Sequence, residues 1–193
     1  MQIVQYPHPT LRHVSKPLKR VDAELRSMVE QMFELMYDAL GIGLAANQVD
    51  LPYRLFVINT TGDREHKDQE QVFINPVITR RQGSAEAEEG CLSLPGLYAE
   101  VKRPEKISVQ AYNLQGEEIT ADLEDLPARA VQHELDHLNG KLFIDHLSPT
   151  ALMSLKDAIE EFELQFNGRR SRGEIGDENA MRARLLELEQ LRT

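Results

Sequence analysis

The chain has 193 residues, is 41% hydrophobic and 28% charged, and carries a formal net charge of −10. That length suffices for one domain with a substantial core, and the composition is that of an ordinary globular protein. The acidic balance argues against binding DNA or anionic membranes through the body of the protein, and one cysteine forms no internal disulfide.

The first residues, Met1-Gln2-Ile3-Val4-Gln5-Tyr6-Pro7, lack the basic region and apolar run of a secretory signal. No apolar stretch approaches the roughly 20 residues that cross a bilayer. A cytoplasmic location is expected; an organellar one stays open, because a cleaved import peptide would leave no trace. Residues 1–21 read as a proline-punctuated arm. Asp22 then caps a helix to about Leu40, whose Leu25, Met28, Val29, Met32, Phe33, Met36 and Leu40 recur at three and four, and Gly41 ends it. A glycine loop follows, then a strand from Tyr53 to Asn59 and a polar excursion from Thr60 to Gln71. A second strand, Val72 to Thr79, contains Pro76, which predicts an edge or a bulge. A short strand is expected around Cys91, with a turn at Pro95-Gly96, and a hairpin joins Glu105–Tyr112 to Glu117–Leu123.

Asp125 and Pro127 open the next helix, Val131, Leu135 and Leu138 give it a buried side, and Asn139-Gly140 closes it. Ser148-Pro149 starts a further helix to about Phe166, with Leu152, Leu155, Ile159, Phe162 and Phe166 in a stripe. Asn167 to Gly176 reads as a flexible linker. Asp177 to Thr193 reads as a charged last helix with Met181, Leu185 and Leu188 on one side, ordered against a partner. The order of elements predicts an α+β fold: short antiparallel strands packed around a central metal-binding helix, with a C-terminal helix. The expected division is a catalytic domain over 1–147, a packed helix over 148–166, and a linker with a charged helix over 167–193.

The helix opened by Asp125 carries His133-Glu134-Leu135-Asp136-His137. At about 3.6 residues per turn, His133 and His137 leave one face roughly 40° apart and can grip one metal ion. Glu134 points about 100° from His133, poorly placed as a ligand but well placed to trade a proton with water beside the metal. The plain alternative is a helix with two surface histidines and a solvated acid. An open catalytic site of this kind wants a third protein ligand. Cys91 is a candidate, although a lone cysteine by itself reads as a buried structural thiol. A thiolate with two imidazoles excludes calcium and magnesium.

Two other stretches accompany that helix: Gly41-Ile42-Gly43-Leu44-Ala45-Ala46-Asn47-Gln48 and Glu89-Gly90-Cys91-Leu92-Ser93. The three together resemble peptide deformylase, whose pattern is Gly-x-Gly-x-Ala-Ala-x-Gln, then Glu-Gly-Cys-x-Ser, then His-Glu-x-x-His. No motif position departs, and the likeness runs over roughly residues 1–147, from Tyr6-Pro7-His8-Pro9-Thr10-Leu11-Arg12 onward. The resemblance implies Cys91, His133 and His137 as metal ligands. It implies ferrous iron (Fe2+) as the metal, with zinc, nickel or cobalt able to take the site. The implied reaction removes the formyl group from the N-terminal formylmethionine of new polypeptides and releases formate. Glu134 is then the general base turned general acid, and the Gln48 side-chain amide and Leu92 N–H stabilise the oxyanion. Ile42, Gly43 and Gly90 are implied to pair with the substrate main chain, the glycines allowing its close approach. The methionine pocket is expected from Ile42, Leu126, the stem of Arg129, Ala130 and His133. Glu89 and Arg103 are expected to form an ion pair that orients the Cys91 strand.

His8, His13, His66 and His146 have no partner spacing and are expected to be solvated or structural. A His-Glu-x-x-His endopeptidase is the second reading, but it leaves the cysteine motif without a role. A third is an inactive binding module at the ribosome, where the Arg169-Arg170-Ser171-Arg172 cluster could meet RNA; a solvated linker explains that cluster as well.

Overall fold

A computed structural model describes residues 1–193. Helix α1 (Ala23–Asp38) begins where Asp22 accepts a hydrogen bond from the Leu25 N–H, and its Leu25, Val29, Met32, Phe33 and Met36 are buried. The expected apolar stripe ends at Met36 and leaves out its last expected member, Leu40. Leu40 is 91% exposed and itself adopts the left-handed conformation at φ 57°, so the chain turns before Gly41 rather than on it.

Five strands form one antiparallel sheet in the order β1 (Gly43–Ala45), β2 (Leu55–Ile58), β3 (Gln71–Gln82), β6 (Lys106–Tyr112) and β7 (Glu118–Glu124). The sheet lies between α1 and α2 (Asp125–Leu138). Alternation along β2 explains its unbroken Leu-Phe-Val-Ile run: Leu55 and Val57 pack towards α1, Phe56 and Ile58 towards α2. Truncating Phe56, fully buried and stacked on Phe73, to alanine would cost about 3–5 kcal/mol. The expected irregularity at Pro76 is a register shift between Ile74 and Val77, with Asn75 at φ 53°. The Asn75 side chain there bridges to the arm, accepting from Leu18 N–H and donating to Leu18 O at 2.8 Å each.

A separate hairpin pairs β4 (Ala85–Cys91) with β5 (Leu94–Arg103). The turn expected at Pro95-Gly96 is placed differently: Leu92 and Ser93 form it, and Pro95 and Gly96 lie inside β5. Helix α2 buries Ala128, Val131, Leu135 and Leu138 against the sheet and presents His133 and His137 towards the hairpin. Its end is fixed by Gly140, at φ 69°, where a Cβ would meet Arg12 O at 2.7 Å.

The C-terminal region also differs from expectation. The single helix from Ser148-Pro149 is broken at Leu155 into α3 (Pro149–Ser154) and α4 (Lys156–Ser171). Helix α3 leaves Leu152 and Met153 exposed, whereas Ile159 and Phe162 of α4 pack on the cluster around Phe143. The first five residues of the expected linker continue α4. The last helix, α5 (Glu178–Gln190), lies on the body of the protein, with Leu185 and Glu189 each 1% exposed. No helix is long and apolar enough to cross a membrane.

Candidate active site

The two histidines of α2 and the cysteine at the end of β4 come together. Cys91 Sγ, His133 and His137 offer one ligand atom each, all within 4.8 Å of one another. Sγ lies 3.4 Å from His137 Nε2. Glu89, two residues before the cysteine, is 4% exposed in its side chain and accepts from four donors. Arg103 Nε (2.6 Å) and Arg129 Nη1 (2.7 Å) reach its Oε1; Arg103 Nη2 (2.9 Å) and His133 Nδ1 (3.0 Å) reach its Oε2. An ionised carboxylate only accepts, so His133 Nδ1 carries a proton and Nε2 is the nitrogen left for the centre. Burial would raise the Glu89 pKa, but the bonds from His133 and Arg103 and the Arg103 charge outweigh it and hold the group far below the usual carboxylate range.

The two rings titrate in opposite directions. Burial and the neighbouring His133 push His137 well below its ordinary value, so it is neutral. Burial would also lower His133, but its bonds to the Cys91 sulfur and to Glu89 raise it well above the ordinary value. The pocket thus favours one positive charge, on His133 beside the Cys91 sulfur and Glu89, and opposes a second on His137. Glu134 Oε2 and His137 Nδ1 are buried there and make no hydrogen bond within the chain. A soft sulfur and nitrogen donor set, with unsatisfied polar atoms around it, fits a divalent transition metal.

Glu134 is 4% exposed, and burial raises its pKa to about 7. Gln48, 1% exposed, sits in the 3-10 turn Ala46–Val49 that follows β1. Its Oε1 accepts from Ala45 N–H at 2.9 Å, which turns Nε2 towards Cys91 Sγ (3.5 Å) and Ser93 Oγ (3.3 Å). The loop cap and a donor aimed at the centre are thus the two ends of one amide. The Leu92 N–H donates to no other group of the chain.

Gln48, Cys91, Leu92, His133 and Glu134 line one cavity of about 670 Å3 together with Ile42, Gly43, Gly90, Leu126, Arg129 and Ala130, and His137 stands outside that lining. Arg103 lies behind the wall rather than in it, and Arg129 turns its guanidinium away to Glu89, Val101 O and Ala85 O. The glycines have a reason beyond the expected approach of substrate. A Cβ on Gly41 would meet Leu92 Cδ1 at 2.7 Å, and one on Gly90 would meet the Tyr98 ring at 2.6 Å.

Sequence reasoning missed part of the charge network. Arg103 also reaches Asp136 at 2.7 Å, and Asp136 takes His146 at 2.7 Å, so of the two roles expected for His146, solvated or structural, it has the structural one. Arg129 stands one helical turn before His133, a spacing that would have placed it beside Glu89. Nothing local pointed to His146.

The family described as Polypeptide deformylase matches residues 1–152. The chain belongs to that family. A peptide deformylase of Rhodopirellula baltica is 47% identical over 193 residues, 100% of this chain and 96% of that protein. One of Neisseria gonorrhoeae is 48% identical over 161 residues, 83% of this chain and 95% of that protein. Among solved structures, Arabidopsis thaliana peptide deformylase 1B superposes at a TM-score of 0.84 with 40% identity, covering 88% of this chain and 93% of that one. Plasmodium falciparum peptide deformylase superposes at 0.84 with 35% identity, covering 86% and 98%. The expected α+β fold is the fold of these deformylases, and the metal dependence of the family agrees with the Cys91, His133 and His137 cluster.

Proposed function

We propose that this deformylase hydrolyses the N-formyl group of formylmethionine at the start of new polypeptides, releasing formate and a free amine. The observation that carries this is the meeting of one sulfur and two imidazole nitrogens beside a buried carboxylate that has an unpartnered oxygen. Cys91, His133 and His137 would hold the metal, Fe2+ in the reading taken from the family likeness, with zinc, nickel or cobalt able to stand in. A metal bound there would supply Lewis acidity to the formyl carbonyl and to the attacking water.

The chain's residues do the rest. Glu134, with a pKa of about 7, takes a proton from the attacking water near neutral pH and returns it to the departing amine nitrogen. Gln48 Nε2 and the Leu92 N–H donate to the oxygen that gains charge, from positions fixed before reaction. Glu89 holds the His133 ring in one tautomer. β1 pairs only with β2, and β4 only with β5, so each leaves one edge open. An extended peptide between those edges would bond to Ile42, Gly43 and Gly90, placing its first side chain against Leu126, Ala130 and the stem of Arg129.

The reading includes a cytoplasmic location and action on chains leaving the ribosome. Docking through the arginine cluster gains no support, because Arg169 and Arg172 pair with Glu174 and Arg170 with Glu178. The endopeptidase alternative leaves the Cys91 contacts without a purpose.

The deciding experiment is anaerobic purification with metal analysis, then formate release from a formyl-Met peptide beside a non-formylated control. Cleavage of internal peptide bonds without formate would sink the reading. Glu134→Gln should keep the metal and lower turnover by about 10²–10⁴-fold; unchanged turnover would remove Glu134 from the mechanism.

A further inference from the structure

The residues matched by the family end at 152, yet two of the most deeply buried charged groups of the protein lie well beyond it. Glu189 is 1% exposed and Arg192 is 4% exposed. The Glu189 side chain is spent on the N-terminal arm, and that of Arg192 on the start of α1 just after it. Glu189 accepts from His13 Nε2 at 3.0 Å, Lys16 Nζ at 2.8 Å and the Lys16 N–H at 3.3 Å. Arg192 pairs with Asp22 and Glu24, and its carbonyl accepts the Lys19 N–H at 2.8 Å.

The arm in turn grips the turn that carries Gln48. Asn47 is fully buried, and its Nδ2 donates to His13 O at 2.9 Å and Thr10 O at 3.2 Å. Its Oδ1 accepts from Ser15 Oγ at 3.0 Å, and Gln48's own carbonyl accepts the Val4 N–H at 2.8 Å. A second grip comes from the other side. Arg184 of α5 pairs with Asp50, which ends the turn at φ 61° and also accepts from Thr10 Oγ1. Between the Glu189 carboxylate and the Gln48 amide stand only one arm residue, His13, and Asn47.

We propose that α5 is a clamp that holds Gln48 on target through the arm, with Glu189, Arg184 and Asn47 as positioning residues. This rests on the role given to Gln48 above. The Ala45 N–H orients the Gln48 amide within its own turn, so the amide is only as well placed as the turn is, and a donor for a developing charge serves only if it is in place before the charge appears. Displacements near 1 Å can cost up to about 10²-fold in rate. The simpler alternative is that α5 adds stability to the whole domain and touches no particular step.

The two are separated in the full-length chain by Glu189→Ala and Asn47→Ala, each alone and combined with Gln48→Ala. The readouts are kcat and KM on a formyl-Met peptide, and deuterium exchange of the amides of residues 45–49. With the clamp, Glu189→Ala lowers kcat about tenfold with KM changed less than about twofold. It also speeds exchange across the turn and costs nothing more once Gln48 is alanine. Glu189→Gln, which keeps an acceptor, recovers part of the loss. An unchanged kcat, a loss of equal size in the Gln48→Ala background, or unaltered exchange at the turn would overturn the clamp. If Glu189→Ala fails to fold, Arg184→Gln at the half-exposed end of the contact decides it by the same readouts. Should the unaltered chain release no formate, the function falls, and the exchange response alone decides the clamp.

Discussion

A Cβ built on Gly43 would stand 2.4 Å from Glu134 Oε1. The strand and the helix therefore approach at a point where only a glycine leaves room for the carboxylate. Gly43→Ala must push Glu134 aside, while Cys91, His133 and His137, which supply none of the atoms nearest that Cβ, stay together. Its kcat should fall by about 10–10²-fold with metal content unchanged. Kinetics beside metal analysis checks this, and a variant with full kcat would show that Glu134 tolerates displacement.

Cys91 is the one soft donor of the cluster. Cys91→Ser should weaken metal binding by more than the roughly 10–100-fold that loss of an outer partner costs, and shift preference away from thiophilic metals. Competition with a chelator measures it. Unaltered metal content would return Cys91 to the role of a structural thiol.

Glu89 gives a pH dependence with a definite sign. Its folded pKa lies far below the ordinary 4.5, so its contribution to stability is full above that value and drains away as the pH falls below it. Glu89→Gln removes the charge and one of the two acceptor oxygens shared by Arg103, Arg129 and His133, and should cost about 3–5 kcal/mol near neutrality. Urea unfolding of parent and variant should show that gap narrowing in acid. A gap that widens as the pH drops would contradict the assignment.

Ala130 is 5% exposed and lines the cavity between Leu126 and Glu134. Ala130→Phe fills the place expected for the methionine side chain. Its kcat/KM on a formyl-Met peptide should fall by at least about tenfold through KM, with the metal retained. An unchanged KM would place the side chain elsewhere in the cavity.

The sequence by itself determined α1, β2, the helix that carries His133 and His137, and the family likeness. The three-and-four spacing of α1, the four apolar residues of β2 and the His133–His137 interval report local geometry, which neighbours in the chain dictate. It also marked Cys91 and Gln48, because each sits inside a motif. Only the tertiary structure decided that Leu40 leaves the core, that Leu92-Ser93 makes the hairpin turn, and that α5 lies on the arm. It alone joined Glu89 to Arg129, and Arg103 through Asp136 to His146. The charge network turns on which buried groups meet through space, most of them dozens of residues apart, and the place of Leu40 and of the hairpin turn depends on how the whole chain packs; local spacing reports neither.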